Sequence, residues 1–419
     1  MSDRDALLAA ICAHPAEDTP RLAFADWLDE HADTLPTPAV ARQRAAFIRD
    51  DVAMARRDEY DPPRLRWELI EKPQREADGW VRATVPPELR TPYRAGDRSF
   101  RRGFPWCIQF TPGQLLAHAG ILEQVPAGTL SYGAADGAAD ELFRSPHFAR
   151  LAGLRARLRP ASVQTLVESP YATALEELTA GPSGLAYPAV PVLVRSALFP
   201  RLARLDLSGH PGLGPALVAH LHYATGPLRL GELRLASSGL LERHVEQLLD
   251  APAVRGLARL SLASCWLGLA GCEAVARADL VRLAELDLSA TGPGAEGFRA
   301  LMSCAPLSRL RRLGFRNNHV NGSLVAEFAT CRETSNLRIL DLTSNAIGNA
   351  GAAALARSPH LAELSVVYLS HCMVGDEGVN AVLESPLADG LVLLDLTGSP
   401  ASAEMKAAVK GRMGDRVRL

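Results

Sequence analysis

The sequence predicts a curved α/β solenoid, with short parallel strands inside and helices outside, preceded by a small helical domain. Three observations predict this. First, a phrase Leu-x-x-Leu-x-Leu, in which Phe or Val sometimes replaces the last Leu, begins at Leu202, Leu230, Leu257, Leu283, Leu310, Leu337, Leu361 and Leu391. Second, the phrase is periodic: counted at its second leucine, the steps are 28, 27, 26, 27, 27, 24 and 30 residues. Third, apolar residues make up 47% of the chain but aromatic residues only 5%, which suits a core of stacked aliphatic layers. At 419 residues the chain is long for one globule, a limit that a solenoid escapes because each repeat touches only its neighbours.

Residues 1–57 read as a separate helical domain. Leu7, Leu8 and Ile11 form one apolar stripe, and the helix should stop near His14-Pro15, since proline removes a donor and restricts its predecessor. Asp18 is an N-cap candidate followed by Pro20. Phe24, Trp27 and Leu28 then share a helix face, with Asp26, Asp29, Glu30 and His31 on the other side. A third helix over 39–56 turns Val40, Phe47, Ile48 and Val52 inward and exposes Arg42, Arg44, Arg49 and Asp50. The stretch Leu7 to His31, with its Asp18-Thr-Pro-Arg-Leu22 and Ala25-Asp-Trp-Leu-Asp-Glu30 phrases, and the segment Arg44-Ala-Ala-Phe-Ile-Arg49 resemble the repeat-companion domain of planctomycete bacteria. That resemblance covers about residues 4–55 and implies a bacterial module standing ahead of repeats, without supplying chemistry.

Residues 58–104 read as a partly helical connector holding Trp67 and Trp80 and punctuated by Pro86-Pro87 and Pro92. Its end, Arg98-Ser-Phe-Arg-Arg-Gly-Phe104, is the densest basic cluster, and Phe100 and Phe104 are expected to pack on the first repeat layer. The same Phe-x-Arg-Gly-Phe phrase commonly stands here in companion-domain proteins with repeats. Residues 105–400 are the repeats, degenerate to about 200 and regular after. Trp106 to Phe110 is expected to be a strand and Gln114 to Gln124 a helix, and Leu154 and Leu178 mark early repeats. Residues 401–419 read as a cap: a helix over 403–413 and a half-strand closing the stack.

The regular phrase and its period are the signature of the leucine-rich repeat. The length of 26 to 28 residues, with full helices on the return limb, resembles the ribonuclease-inhibitor class, which implies a strongly curved horseshoe. The leucines point into the layer and the intervening residues face the inner, concave surface. Asn318, Asn345 and Cys265 occupy the turn after the strand, where a side chain can bond to neighbouring backbone. Aligning Val374 with Ile347 puts Cys372 at the Asn345 rung three residues late, so an insertion is expected after Val366, a loop beside the concave face that carries Tyr368 and His371 and accounts for the 30-residue step.

The concave columns supply the candidate partner-binding residues. They are Arg204, Asp206, Glu232, Arg234, Arg259, Glu285, Asp287, Arg312, Asp341 and Glu363, joined by Tyr368 and His371 from the expected loop. Alternating charge of this kind offers polar complementarity without a single-signed field. An Asp in a repeated Leu-Asp-Leu-Ser/Thr phrase also reads as a locally bonded filler. The formal charge of −2, from 45 basic and 47 acidic residues, does not favour nucleic acid. Seven scattered cysteines read as reduced thiols of a cytoplasmic protein. No apolar run reaches 18 residues, so no membrane span is expected.

No glycine-rich phosphate loop, Gly-x-Ser-x-Gly elbow, His-Glu-x-x-His or Cys-x-x-Cys pair is present. The expectation is therefore a non-enzymatic scaffold without a cofactor, binding another protein through its concave face. Two alternatives come from other features. One is an enzymatic or metal-dependent activity at Asp26, Asp29, Glu30, His31 and Asp33, whose spacings do not converge on one point. The other is nucleic-acid binding through Arg98 to Arg102.

Overall fold

The computed structural model describes residues 2–73, 100–123, 126, 128–132, 137–181, 185, 187–221, 228–302 and 305–419. Trp80, Pro86, Pro87, Pro92, Arg98 and Gln124 lie outside them. The chain divides into two compact units, Met1–Gly184 and Leu185–Leu419.

The first unit begins with helices α1 (Asp3–Ala13), α2 (Thr19–Glu30), α3 (Pro38–Ala55) and α4 (Pro62–Arg66). Ser2 caps α1 by accepting from the Asp5 amide at 3.2 Å. Asp18 does not cap α2: its backbone is already helical and its side chain makes no cap bond. Its carboxylate instead pairs with Arg56 at 2.9 Å and Arg102 at 3.2 Å. Ile11, Phe24, Leu28, Ile48 and Val52 make the bundle core.

Phe104 belongs to that same core, and Phe100 packs with Phe47 and Trp67. The expectation that both close the first repeat layer is therefore corrected: they complete the helical bundle. The reason is a tight antiparallel pair, β1 (Phe100–Arg101) and β2 (Phe104–Pro105), laid against α3. Its turn residue Gly103 has φ +79°, and a Cβ there would stand 2.6 Å from the Ile48 Cα. Only glycine fits such an approach. Arg44, expected on the surface, lies with its guanidinium 5.1 Å from the Phe24 ring centroid and 5.6 Å from that of Phe104.

A buried charge fastens the turn. Asp51 accepts from the Gly103 amide at 2.7 Å and from the Trp67 indole at 2.9 Å, and it pairs with Lys72 at 3.0 Å. Lys72 also donates to the Phe100 carbonyl at 3.1 Å. Most arms of this network land on the aromatic core or the turn, and Lys72 also pairs with Glu68 at 3.7 Å.

The repeats of this unit contribute β3 (Cys107–Gln109), β4 (Thr129–Tyr132), β5 (Gly153–Ala156) and β6 (Glu177–Ala180), parallel and in chain order. Ile108, Leu130, Leu154 and Leu178 stand in one register. The helix expected over 114–124 is shorter, Pro112–Ala117, and a 3-10 turn follows over Ala119–Glu123.

The second unit is a curved α/β solenoid. Its strands run parallel in chain order: β7 (Arg204–Asp206), β8 (Glu232–Arg234), β9 (Arg259–Ser261), β10 (Glu285–Asp287) and β11 (Arg312–Gly314), then β12 (Ile339–Asp341), β13 (Val366–Tyr368), β14 (Leu393–Asp395) and β15 (Val417–Arg418). Helices such as Gly322–Ala329, Gly348–Arg357 and Asp376–Leu383 return the chain, each packed on the next. Paired strands lie about 4.8 Å apart, while packed helices need about 8–10 Å. Successive layers must therefore fan outward on the helical side, and that mismatch bends the stack.

The register corrects one expectation. Leu340 pairs with Val367, and Val367 with Leu394. The repeat phrase is thus Leu364-Ser-Val-Val367-Tyr-Leu369 and not Leu361 to Val366, and the two irregular steps become 27 residues each. There is no insertion, and Cys372 is not late.

A polar rung runs through the turns. The second residue past each strand's last apolar position takes a left-handed φ, as in Ser237, Ser264, Ala290, Asn317, Ser344 and His371. The next side chain is buried, and in most repeats it bonds to backbone. Asn345 donates to the Phe315 and Leu342 carbonyls at 2.9 and 2.8 Å, and accepts from the Asn318 and Val320 amides at 3.0 Å each. Asn318 repeats this one layer earlier, while Cys265 and Cys372 donate to the Leu235 carbonyl at 3.1 Å and the Leu342 carbonyl at 3.0 Å. Burial pushes the Cys372 thiol up to about 11, which keeps it a protonated donor. The described cysteines are all free.

Two outcomes follow for urea unfolding. Replacing Asn345 with Leu orphans two amides and two carbonyls and is expected to cost about 3–5 kcal/mol. Asn345→Cys retains one donor and should cost about half as much, and equal losses for the two variants would refute the rung. Asp51→Ala leaves Lys72 buried without its main partner and should cost about 3–5 kcal/mol. The double variant Asp51→Ala with Lys72→Met should cost less than the sum of its parts.

Candidate interaction surface

Each strand of the second unit buries its central residue and turns its flanking pair to the inner face. In β7, Leu205 is buried while Arg204 and Asp206 are half-buried. The alternation is the two-residue period of a strand. Parallel pairing without slip then lines the flanking residues into two columns.

The first column is Arg204, Glu232, Arg259, Glu285, Arg312, Ile339, Val366 and Leu393. Its charged half is an ion ladder. Glu232 lies 3.6 Å from Arg204, 2.7 Å from Arg234 and 3.8 Å from Arg259, and Arg259 also pairs with Glu285 at 2.9 Å. With the Glu232 side chain only 9% exposed, these pairs organise the face more than they stabilise it.

The second column is Asp206, Arg234, Ser261, Asp287, Gly314, Asp341, Tyr368 and Asp395. Its acids bond locally. Asp206, Asp287, Asp341 and Asp395 each accept the amide two residues on, Ser208, Ser289, Thr343 and Thr397, at 2.9 to 3.1 Å. Asp287 also accepts from the Ser261 hydroxyl at 3.1 Å. Burial works against the charge of Asp395, but hydrogen bonds from Thr397 and Ser370 and the nearby Arg418 outweigh it and hold the carboxyl low. Burial raises Tyr368, against the pull of Arg312 and Arg418, so its phenol stays neutral and available as a donor.

The structure therefore brings Arg204, Glu232, Arg234, Arg259 and Glu285 together, and sets Asp206, Asp287, Arg312, Asp341 and Tyr368 on the same face. Tyr368 gets there as a regular strand residue and not from an inserted loop. Glu363 is outside the strand, with its side chain 63% exposed and paired to Arg338 at 2.8 Å. His371 is a turn residue with φ +55°, its amide bound to the Thr397 carbonyl at 2.8 Å. Both were placed on the face by the shifted frame.

Sequence reasoning passed over Trp266 and Met373, which are 64% and 66% exposed. Each follows the buried rung cysteine of its repeat, so alignment on Cys265 and Cys372 was the signal that would have found them. Arg316 was also missed; its Nε is 4.0 Å from Asp341.

Features of the first unit that suggested other chemistry are bound to one another. Arg49 pairs with Asp26 at 2.8 Å and Asp29 at 2.6 Å, and Arg42 with Asp33 at 2.9 Å. The His31 ring stacks on Trp27. Among the described residues, no three His, Cys, Asp or Glu are grouped to hold a metal ion. Of the basic cluster, Arg101 lies 4.8 Å over the Trp106 ring, and Arg102 binds Asp18 and the Ala16 carbonyl. No described helix is long and apolar enough to cross a membrane.

Residues 335–356, which include β12 and its rung Asn345, match the family model described as a leucine-rich repeat. No curated protein matches the chain in sequence. Among solved structures, it is similar to one titled as the Rad7 and Elc1 complex in yeast. That similarity has 12% identity and a TM-score of 0.52, and covers 91% of this chain and 92% of the other. An internalin from Listeria monocytogenes shares 15% identity at a TM-score of 0.36, over 74% of this chain and 89% of its own. The strand register, the polar rung and the yeast structure agree on one conclusion: the chain has a leucine-rich-repeat fold.

Proposed function

We propose that the protein is a non-enzymatic scaffold that binds another protein through the inner strand face of its second unit. The observation that carries this reading is the composition of that face. Its central residues are uniform and buried, but its flanking pair changes from repeat to repeat, and several keep accessible polar heads, Arg204 and Arg234 being 40% and 49% exposed in their side chains. A surface that varies over a constant scaffold is built for complementarity to something large. The yeast structure similar in fold holds its chain in complex with another protein, which agrees with this use. The first unit, with its acids and arginines paired internally, serves in this reading as a companion module. The bacterial origin, the planctomycete companion family and the cytoplasmic site remain part of the same proposal.

A site-specific photo-crosslinker separates this reading from its rivals. Placed at Ser261 on the inner face and irradiated in cells of the source organism, it should give a discrete protein adduct. The same group at Glu273, on the outer helix Gly268–Arg277, should not. Adducts alike from both positions, or none from Ser261, would overturn the proposal.

A further inference from the structure

Where a side chain caps a helix of this protein, the acceptor is commonly a Ser or Asn at the N-cap position, as at Ser2, Asn321 and Ser402. The outer helix Glu242–Asp250 is built otherwise. Its N-cap residue is Leu241, which has no polar side chain. The acceptor comes instead from the third helical residue. His244 Nδ1 accepts from the Leu241 amide at 3.1 Å, while the His244 amide donates to the Leu241 carbonyl at 2.9 Å. Among the described residues the Leu241 amide has this one partner. Taking the N-cap amide from the third position is the half of a capping box normally given to Glu or Gln. The protein holds that version too: Gln114 Oε1 accepts from the Thr111 amide at 2.9 Å, at the start of Pro112–Ala117.

An imidazole in place of a carboxamide changes one property. Gln accepts at every pH, whereas Nδ1 accepts only in the neutral ring that carries its proton on Nε2. A second proton turns the acceptor into a donor facing a donor. It also puts positive charge on the first turn, where the helix dipole disfavours it. Burial, and then the charge of Arg243, hold the ring below the ordinary imidazole value of 6.5. The bond is therefore present above pH 6.5 and is lost as pH falls through the lowered value.

The other titratable groups around this helix are engaged elsewhere. On the helix itself, Glu242 lies over Gly268, Glu246 is 3.9 Å from Arg277, and Asp250 is at the far end. Of the helices packed on it, Leu213–Leu221 brings His220, and Gly268–Arg277 brings Cys272, Glu273 and Arg277, the last two paired at 3.5 Å. Burial pushes the Cys272 thiol up to about 12. The 3-10 turn Pro252–Val254 brings none. The capped residue is also tied to its neighbour: Leu241 and Trp266 form a parallel bridge, and the Trp266 amide donates to the Leu240 carbonyl at 3.0 Å. Their side chains are exposed apolar groups on adjacent turns.

We propose that His244 is an acid-sensitive cap. When its ring takes a second proton, the Leu241 amide loses its acceptor, the first turn of Glu242–Asp250 opens, and the Leu241–Trp266 step beside it loosens. This device stands apart from the reading of the inner face.

The test is hydrogen exchange of the full chain, resolved to the Leu241 amide and expressed as a protection factor, which removes the intrinsic effect of pH. Protection should fall about fivefold between about pH 7.5 and about pH 5, the equilibrium equivalent of one lost cap. The Thr111 amide, capped by Gln114, should hold its protection. His244→Gln should keep Leu241 protected at both values, and His244→Ala should leave it unprotected at both. In the chain labelled with 5-fluorotryptophan, the fluorine line of Trp266, identified by its loss in Trp266→Phe, should move with the same midpoint. Leu241 protection that ignores pH, or that falls equally in His244→Gln, would overturn the cap. A fixed Trp266 line would overturn its transmission to the neighbouring turn.

Discussion

The turn that follows each strand in the second unit is the constraint on which the rest depends. There the chain enters a left-handed conformation, and backbone groups point into a buried, largely apolar layer. A buried amide or carbonyl without a partner costs a large share of a typical domain's net stability. One buried side chain per repeat meets this need, and Asn does it best because it both donates and accepts. Asn345 bridges two consecutive turns in this way. Cys, Ser and Thr take the same rung in other repeats, where Cys265 and Thr291 donate to the Leu235 and Leu288 carbonyls.

Because the rung and the central leucine carry the core, the residues flanking that leucine can vary from repeat to repeat. That freedom is what makes the inner face a surface for recognition. It is not a free array of charges, however. The acids of the Leu-Asp-Leu phrases hold the next turn, and most of the Arg and Glu of the first column hold each other. What is left for a partner is defined by subtraction. After β11 the alternation of charge runs out and the column turns apolar at Ile339.

The first unit shows the same economy with opposite raw material. Its acidic helix end and basic cluster are both suggestive in isolation. In the fold, arginines of α3 take the acids of α2 and of the turn after it, and Arg102 returns from the β1–β2 turn to Asp18. Asp51 is deeply buried, and its neighbours include the turn at Gly103 and the indole of Trp67, the two elements that close the bundle. Pairing with Lys72 makes that burial tolerable.

By itself the sequence determined the class of fold, the strand and helix order after residue 200 and the identity of the rung. Those are read from periods that each segment carries within itself. The tertiary structure alone decided the rest. Two frames three residues apart, from Leu361 and from Leu364, both satisfy the repeat phrase, and only pairing with Leu340 and Leu394 selects the second. The packing site of Phe100 and Phe104 likewise depended on a turn pressed against Ile48, a contact between segments far apart in the chain. Which charges pair is also a matter of distance across strands, because a sequence states how many charges there are and not which of them meet.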